Sequence, residues 1–171
     1  MMSLLRKSPY ELNLNAFSAI GREWMLITAE KDDGSINTMT ASWGMMGELW
    51  GLPAVTVFIR PQRYTREFVD SNVCFTLSFF DGQKKALGLL GSRSGRDCDK
   101  ISEAGLHPVS IDGQPGFAEA RLTLICRKLY TSRLEPEQFL DADIARKHYP
   151  EQDYHYVYVA QVLDAWEKTA E

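Results

Sequence analysis

Apolar and polar positions alternate most cleanly from Val73 to Phe80, where Val73, Phe75, Leu77 and Phe79 share one face and Cys74, Thr76 and Ser78 the other. A period of two predicts a half-buried strand. Trp24–Ala29 also reads as extended and runs into Asp32-Asp33-Gly34, a hairpin signal because glycine accepts positive φ. The return strand is predicted over Asn37–Trp43, ending near Gly44. A further strand, Ala54–Ile59, is rich in β-branched residues and stops at Arg60-Pro61. The period then changes. Thr65–Asp70 is predicted to be a short helix, with Tyr64 and Phe68 spaced to share a face. Gln83–Leu90 is helical in pattern, and Asp97–Ala104 forms another short helix stopped by Gly105. Glu119–Tyr130 and Tyr154–Trp166 read as long strands, with short helical turns over Pro136–Tyr149 between them. Antiparallel strands at hairpin spacing with short inserted helices predict a mainly-β chain forming a barrel with peripheral helices. No strand leads into a G-x-G-x-x-G turn and a long helix, which disfavours a doubly wound sheet.

Composition narrows the function more than the fold. The 171 residues fit one domain over 1–171, and 19 Lys plus Arg against 23 Asp plus Glu give a net charge of −4. The overall basic field of a nucleic-acid binder is absent. Cys74, Cys98 and Cys126 form no C-x-x-C pair, which suggests reduced thiols and a cytoplasmic location. No apolar run approaches the roughly 18 residues of a membrane span, and Met1–Lys7 lacks the apolar core of a secretory signal. His107, His148 and His155 lie far apart without metal-site spacing to the cysteines, so no metal is expected.

Against this acidic background, Gly91–Lys100 concentrates glycines, serines and cations. Glycines let successive amides converge on one anion, while serine hydroxyls and Arg or Lys add donors and charge. A phosphate site and a solvated loop ahead of a helix capped by Asp97 or Asp99 both fit this segment. Arg60-Pro61-Gln62-Arg63-Tyr64-Thr65 joins a strand to a helix, and Arg60 and Arg63 there either grip a phosphate or are simply solvated. Asn37-Thr38-Met39-Thr40-Ala41-Ser42-Trp43 is polar on both faces for a strand. If buried, its amide and hydroxyls need partners, which a heteroaromatic ligand would supply beside Trp43. If exposed, it is an edge strand using Thr for its β propensity. His155, after Asp153, opens the last strand and either meets a ligand or is satisfied by Asp153 or a carbonyl.

Taken in order, Asn37–Trp43, Arg60–Thr65, Phe75–Phe80, Gly91–Lys100 and Asp153 with His155 resemble the flavin reductase-like, FMN-binding split-barrel family, in particular its flavoredoxin-like branch. The resemblance spans roughly Trp24 to Val162, and Leu122–Tyr130 is similar to a structural strand of that branch. It implies a Greek-key split β-barrel that forms a homodimer, with one FMN per subunit near the interface. Thr38, Met39, Thr40, Ala41 and Ser42 would approach the isoalloxazine and ribityl groups, with Asn37, Thr40 and Ser42 as donors and Trp43 beside them. Arg60, Arg63, Tyr64 and Thr65, with Ser92, Ser94, Gly95, Arg96, Asp97 and Lys100, would surround the phosphate. His155 would lie near a nicotinamide, although Tyr154 separates it from Asp153 where relatives have an adjacent pair. The implied function is an FMN-dependent oxidoreductase fed by NAD(P)H or by a redox-protein partner. The alternative from another class is a non-catalytic flavin-binding or flavin-sensing module.

Overall fold

The strands assemble into an antiparallel sheet that curls almost into a cylinder. The computed structural model describes residues 3–169, so residues 1, 2, 170 and 171, at the ends of the expected domain, lie outside the described residues. In chain order the strands are β1 (Leu4–Lys7), β2 (Met25–Glu30), β3 (Ile36–Ala41), β4 (Gly44–Leu49), β5 (Leu52–Ile59), β6 (Cys74–Phe79), β7 (Pro108–Ile111), β8 (Gln114–Phe117), β9 (Leu122–Arg133) and β10 (Tyr156–Lys168). The helices are α1 (Ala16–Ser18), α2 (Thr65–Ser71), α3 (Lys84–Ser92), α4 (Lys100–Glu103) and α5 (Ala142–His148). The main sheet has eight strands in the order β3-β2-β6-β9-β10-β5-β4, with β1 also on β10. Register shifts at Val159/Ala160 and Val162/Asp164 let the long β10 bend. It thereby pairs with β5 through its first half and with β1 at its end.

One topological fact positions the site. β3 and β4 are consecutive in the chain, joined only by Ser42 and Trp43, yet they stand at opposite ends of the sheet path. The sheet edges therefore meet at that connection without pairing, and the barrel is split along this seam. Inward-facing residues fill the interior, among them Met25, Ile27, Val57, Phe75, Leu77, Phe79, Leu124 and Tyr158. Phe68 and Val69 of α2 join the same core. A second cluster lies outside β2, where Ala86, Leu87 and Leu90 of α3 pack with Leu26, Phe80, Leu106 and Phe117.

That second layer corrects the half-buried reading of residues 73–80. β6 is buried on both faces from Phe75 to Phe79, because β8 covers its outer side. Its polar positions are satisfied internally: Thr76 Oγ1 donates to the Pro115 carbonyl at 2.7 Å, and Ser78 lies 3.4 Å from the Thr123 hydroxyl. Val73 falls outside the strand and is 63% exposed. The expected strand over 37–43 ends at Ala41, and the chain re-enters the sheet as β4, which the sequence pattern did not separate. The turn between β4 and β5 holds Trp50 and Gly51 at φ 57° and 70°. A bulky indole at such a position hides the usual hairpin signature. Among the described residues no helix is long and apolar enough to cross a membrane.

The contrast between neighbouring positions of one strand is testable. Leu77→Ala should lower stability by about 2–5 kcal/mol through lost burial and a residual cavity, whereas Val73→Ala should stay within about 0.5 kcal/mol. Urea denaturation of both variants checks this, and equal effects would contradict the placement of residues 73–79.

Candidate functional site

A cleft of about 250 Å³ opens at the split. The end of β3 and the connection supply Met39, Thr40, Ala41, Ser42 and Trp43, and β5 supplies Phe58 and Arg60. Arg63 from the following turn, Gly91 from the end of α3 and His155 at the start of β10 complete the lining. Segments far apart in sequence thus converge, and hydrogen bonds to one helix end hold several of them.

The last carbonyls of a helix lack intrahelical partners and carry the negative end of its dipole. Here Arg63 Nη1 donates to Gly91 O at 2.8 Å, and one turn earlier Thr40 Oγ1 donates to the Leu87 carbonyl inside the helix at 2.5 Å. Lys100 Nζ donates to Leu90 O at 3.0 Å and to Arg93 O at 3.1 Å. Lys100 is buried, and burial, reinforced by Arg63, brings its amine down to about 8. Burial and the nearby Arg60 also lower Arg63. Lys100 does not line the cleft, and its ammonium is directed at carbonyls, which corrects its assignment as a phosphate ligand.

Arg60 is held as firmly. Its Nη1 donates to Asp153 Oδ2 at 2.5 Å and its Nη2 to His148 O at 2.8 Å, while Gln62 Nε2 donates to Asp153 Oδ2 at 2.7 Å. The Gln62 hydrogen bond, with help from Arg60, holds the Asp153 carboxyl below its usual range. Asp153 Oδ1 is buried without a hydrogen-bond partner among the described residues. His155 is satisfied neither by Asp153 nor by a carbonyl: its Nδ1 lies 2.8 Å from the Tyr149 hydroxyl. Burial, then the Arg60 charge, pushes its pKa down to about 4, so the ring is neutral at neutral pH. Trp43 packs against His155 and His148, with ring centroids 5.2 Å away in each case.

Several other expected contacts point elsewhere. Asn37 Nδ2 donates to Thr65 Oγ1 at 2.9 Å, and the Thr38 hydroxyl lies 2.8 Å from that of Thr28. Both side chains are buried and served by the protein, so a ligand is not needed to satisfy them, contrary to the expectation for a buried polar strand. Tyr64 stacks edge-on against Phe68, and the Arg96 guanidinium lies 4.4 Å from the Tyr64 ring centroid while pairing with Glu67. Ser92 Oγ bonds back to Leu89 O, and Ser94 Oγ accepts from the Arg96 amide. Asp99, not Asp97, caps α4, accepting from the Ser102 amide at 3.2 Å. Gly95 is required: a Cβ there would collide with the Asn37 side chain. Phe58, His148 and Tyr149 were not singled out as site residues from the sequence, and Gly91 entered only as the start of the Gly91–Lys100 segment. The aromatic run Phe139, Tyr149 and Tyr154, which clusters in space, was the available signal for Tyr149.

Several polar groups of the cleft remain free, His155 Nε2 among them. Ser42 makes no side-chain hydrogen bond among the described residues, and Arg63 uses only one of its N–H groups there. Among the described residues no cluster of His, Cys, Asp or Glu is placed to hold a metal ion.

Residues 17–171 match the family described as flavin reductase like domain. No curated protein sequence is significantly similar to the chain. Among solved structures it is similar to an FMN-binding domain of a flavin reductases-like enzyme from Shewanella baltica, with TM-score 0.69 and 19% identity over 97% of this chain and 78% of that one. The flavoredoxin of Desulfovibrio vulgaris gives 0.64 and 18%, covering 93% and 74%. The styrene monooxygenase flavin reductase of Pseudomonas putida gives 0.65 and 18%, covering 87% and 81%. At these identities the structures share the fold, including the split barrel.

Lys100 gives the site a pH signature. With about 8 in the folded protein against 10.5 ordinarily, the unfolded chain binds more protons between those values. Stability therefore rises with pH across that window, and below it the burial penalty is constant. Thermal melts near pH 7 and near pH 9.5 should show Lys100→Met losing Tm relative to wild type as pH rises. An unchanged difference would remove the buried ammonium from the helix end.

Proposed function

The chain belongs to the flavin reductase like domain family, and from that premise we propose that it binds FMN in the seam cleft and passes reducing equivalents through it, taken from NAD(P)H or from a redox-protein partner. The observation that carries this reading is the meeting, in one cleft, of flat apolar walls with unengaged donors. Met39, Trp43 and Phe58 offer the walls, and the Ser42 hydroxyl and the free part of the Arg63 fork offer the donors. Outside that lining, in the loop that follows α3, the amides of Ser94, Gly95 and Cys98 have no backbone partner among the described residues and suit an anionic group. This donor set fits a flat heteroaromatic ring carrying a phosphate. When bound, FMN supplies the hydride and electron chemistry.

The protein's own contribution is position and field. The unengaged Ser42 hydroxyl would hold a ring edge on which negative charge develops, as a donor in the cleft wall. Trp43 and Phe58 exclude water from one side. Arg63 stays tied to Gly91 O while its remaining N–H groups face the cleft, so the cation is oriented before any ligand arrives. The Arg96 charge is shared with Glu67, which makes it the weaker phosphate contact.

The same reading includes a homodimer. Phe17, Met45 and Trp50 are 93%, 61% and 61% exposed around β4, an edge strand beside the seam. A two-fold partner covering that edge would bury them.

Four measurements test the proposal. Flavin released from the denatured protein and separated by chromatography should be FMN; recovery of FAD, or no uptake of added FMN, overturns it. Arg63→Ala should weaken FMN binding by roughly ten- to a hundredfold, the equivalent of a charge-assisted hydrogen bond, while Arg96→Ala changes it by less than about threefold. Stopped-flow bleaching of the flavin band by NADH or NADPH separates a nicotinamide-fed enzyme from one needing a protein donor, and FMN retained without reduction by any donor leaves a binding module. Sedimentation equilibrium should give the dimer mass; a monomer at micromolar concentration removes the homodimer.

A further inference from the structure

The bond between Tyr149 and His155 has a consequence for what the cleft can recognise. Two arrangements satisfy a 2.8 Å contact between a phenol and an imidazole Nδ1. Either the hydroxyl donates to a bare Nδ1, or an Nδ1–H donates to the phenol oxygen. The surroundings choose between them. Tyr149 is buried, and its hydroxyl has no other hydrogen-bond partner among the described residues. If Nδ1 donated, the phenol hydrogen would be left buried without an acceptor, a loss that the opposite arrangement avoids. The phenol therefore donates, Nδ1 accepts, and the single proton of the neutral ring sits on Nε2.

That Nε2 is free for a ligand. It makes no hydrogen bond among the described residues, it is not one of the buried unpartnered atoms, and its ring lines the cleft. Tyr149 itself is immobilised. Its backbone amide donates to Ala145 O at 2.9 Å as α5 ends, and its ring stacks on Tyr154 with centroids 4.8 Å apart. The Arg60 guanidinium lies 5.1 Å from the Tyr149 ring centroid. On the other side Trp43 packs against His155, so the imidazole is held between two aromatic rings.

We propose that Tyr149 is a positioning residue which locks His155 as the Nε2–H tautomer, so that the cleft presents a fixed, uncharged donor and selects a ligand bringing a carbonyl oxygen or another acceptor to that point. This assigns Tyr149 a role through His155 rather than in contact with the reacting atoms. The tautomer follows from the apoprotein alone. Only the ligand-selection half rests on the cleft being the flavin site.

Two-bond 1H–15N correlation of 15N-histidine-labelled apoprotein at neutral pH reads the tautomer, with His155→Gln assigning the signal. Wild type should show His155 as Nε2–H, and Tyr149→Phe should shift it to a mixture of both tautomers. A wild-type Nδ1–H signal, or an unchanged Nε2–H signal in a folded Tyr149→Phe, overturns the lock, and the wild-type spectrum decides even if that variant fails to fold. For selection, FMN affinity is measured by quenching of flavin fluorescence. His155→Gln places an amide N–H near the Nε2 position and should keep affinity within about twofold, whereas His155→Asn, which mimics Nδ1, and Tyr149→Phe should lose roughly three- to tenfold. Equal losses in Gln and Asn variants overturn the donor role. Wild type that binds no FMN would defeat the flavin reading while leaving the tautomer result standing.

Discussion

The carboxyl end of α3 is the point on which the site depends. Its terminal carbonyls need donors, and they receive them from the β5–α2 turn through Arg63 and from α4 through Lys100, while Thr40 of β3 donates one turn earlier, to Leu87 O. None of these segments pairs with another in the sheet at this point, because β3 is an edge and the seam to β4 is open. The barrel leaves a gap where a closed sheet would have ladder hydrogen bonds, and side-chain caps hold the gap's walls instead. A cation is well suited to this task, since several carbonyl dipoles point the same way and one ammonium or guanidinium can bridge more than one of them. The consequence is a cleft whose shape is set by the fold before a ligand enters.

Much of the fold was legible because its signals are local. The alternation in β6, the β-branched run of β5 and the Asp-Gly turn before β3 each encode an element over a few residues. The split β4 was not, since Ser42-Trp43-Gly44 interrupts a polar stretch without any turn residue of unusual strength, and the Trp50–Gly51 hairpin places an indole where Asn or Asp is usual. Burial of the outer face of β6 was equally hidden, because it depends on the β7–β8 hairpin packing from elsewhere in the chain.

Site residues divided along the same line. Met39, Thr40, Ala41, Ser42, Trp43, Arg60, Arg63 and His155 all line the cleft. Asn37, Thr38 and Lys100 do not, and the reason is common to them. Each is a polar group in a polar-looking segment, and sequence shows that such a group needs a partner without showing which one. Thr65, Thr28 and the α3 carbonyls, all distant or on another element, supply the partners. Tyr149 shows the converse: nothing in its immediate sequence marks it, yet its hydroxyl decides how the imidazole six residues on is used.

The distribution of charge around the cleft follows from these engagements. Arg60 is tied to Asp153 and a backbone carbonyl, Lys100 to the helix end, and Arg96 to Glu67, so a chain that concentrates cations here leaves little of that charge uncommitted. The Arg60 charge still acts at a distance: with burial, it keeps His155 neutral even though Asp153 pulls the other way. An uncharged imidazole donor beside a partly free guanidinium is a mild electrostatic setting. On the proposed reading it would stabilise negative charge developing on a ligand without binding anions indiscriminately. Specificity on that reading would come from matching acceptors to the Ser42, Arg63 and His155 donors, and only secondarily from net charge.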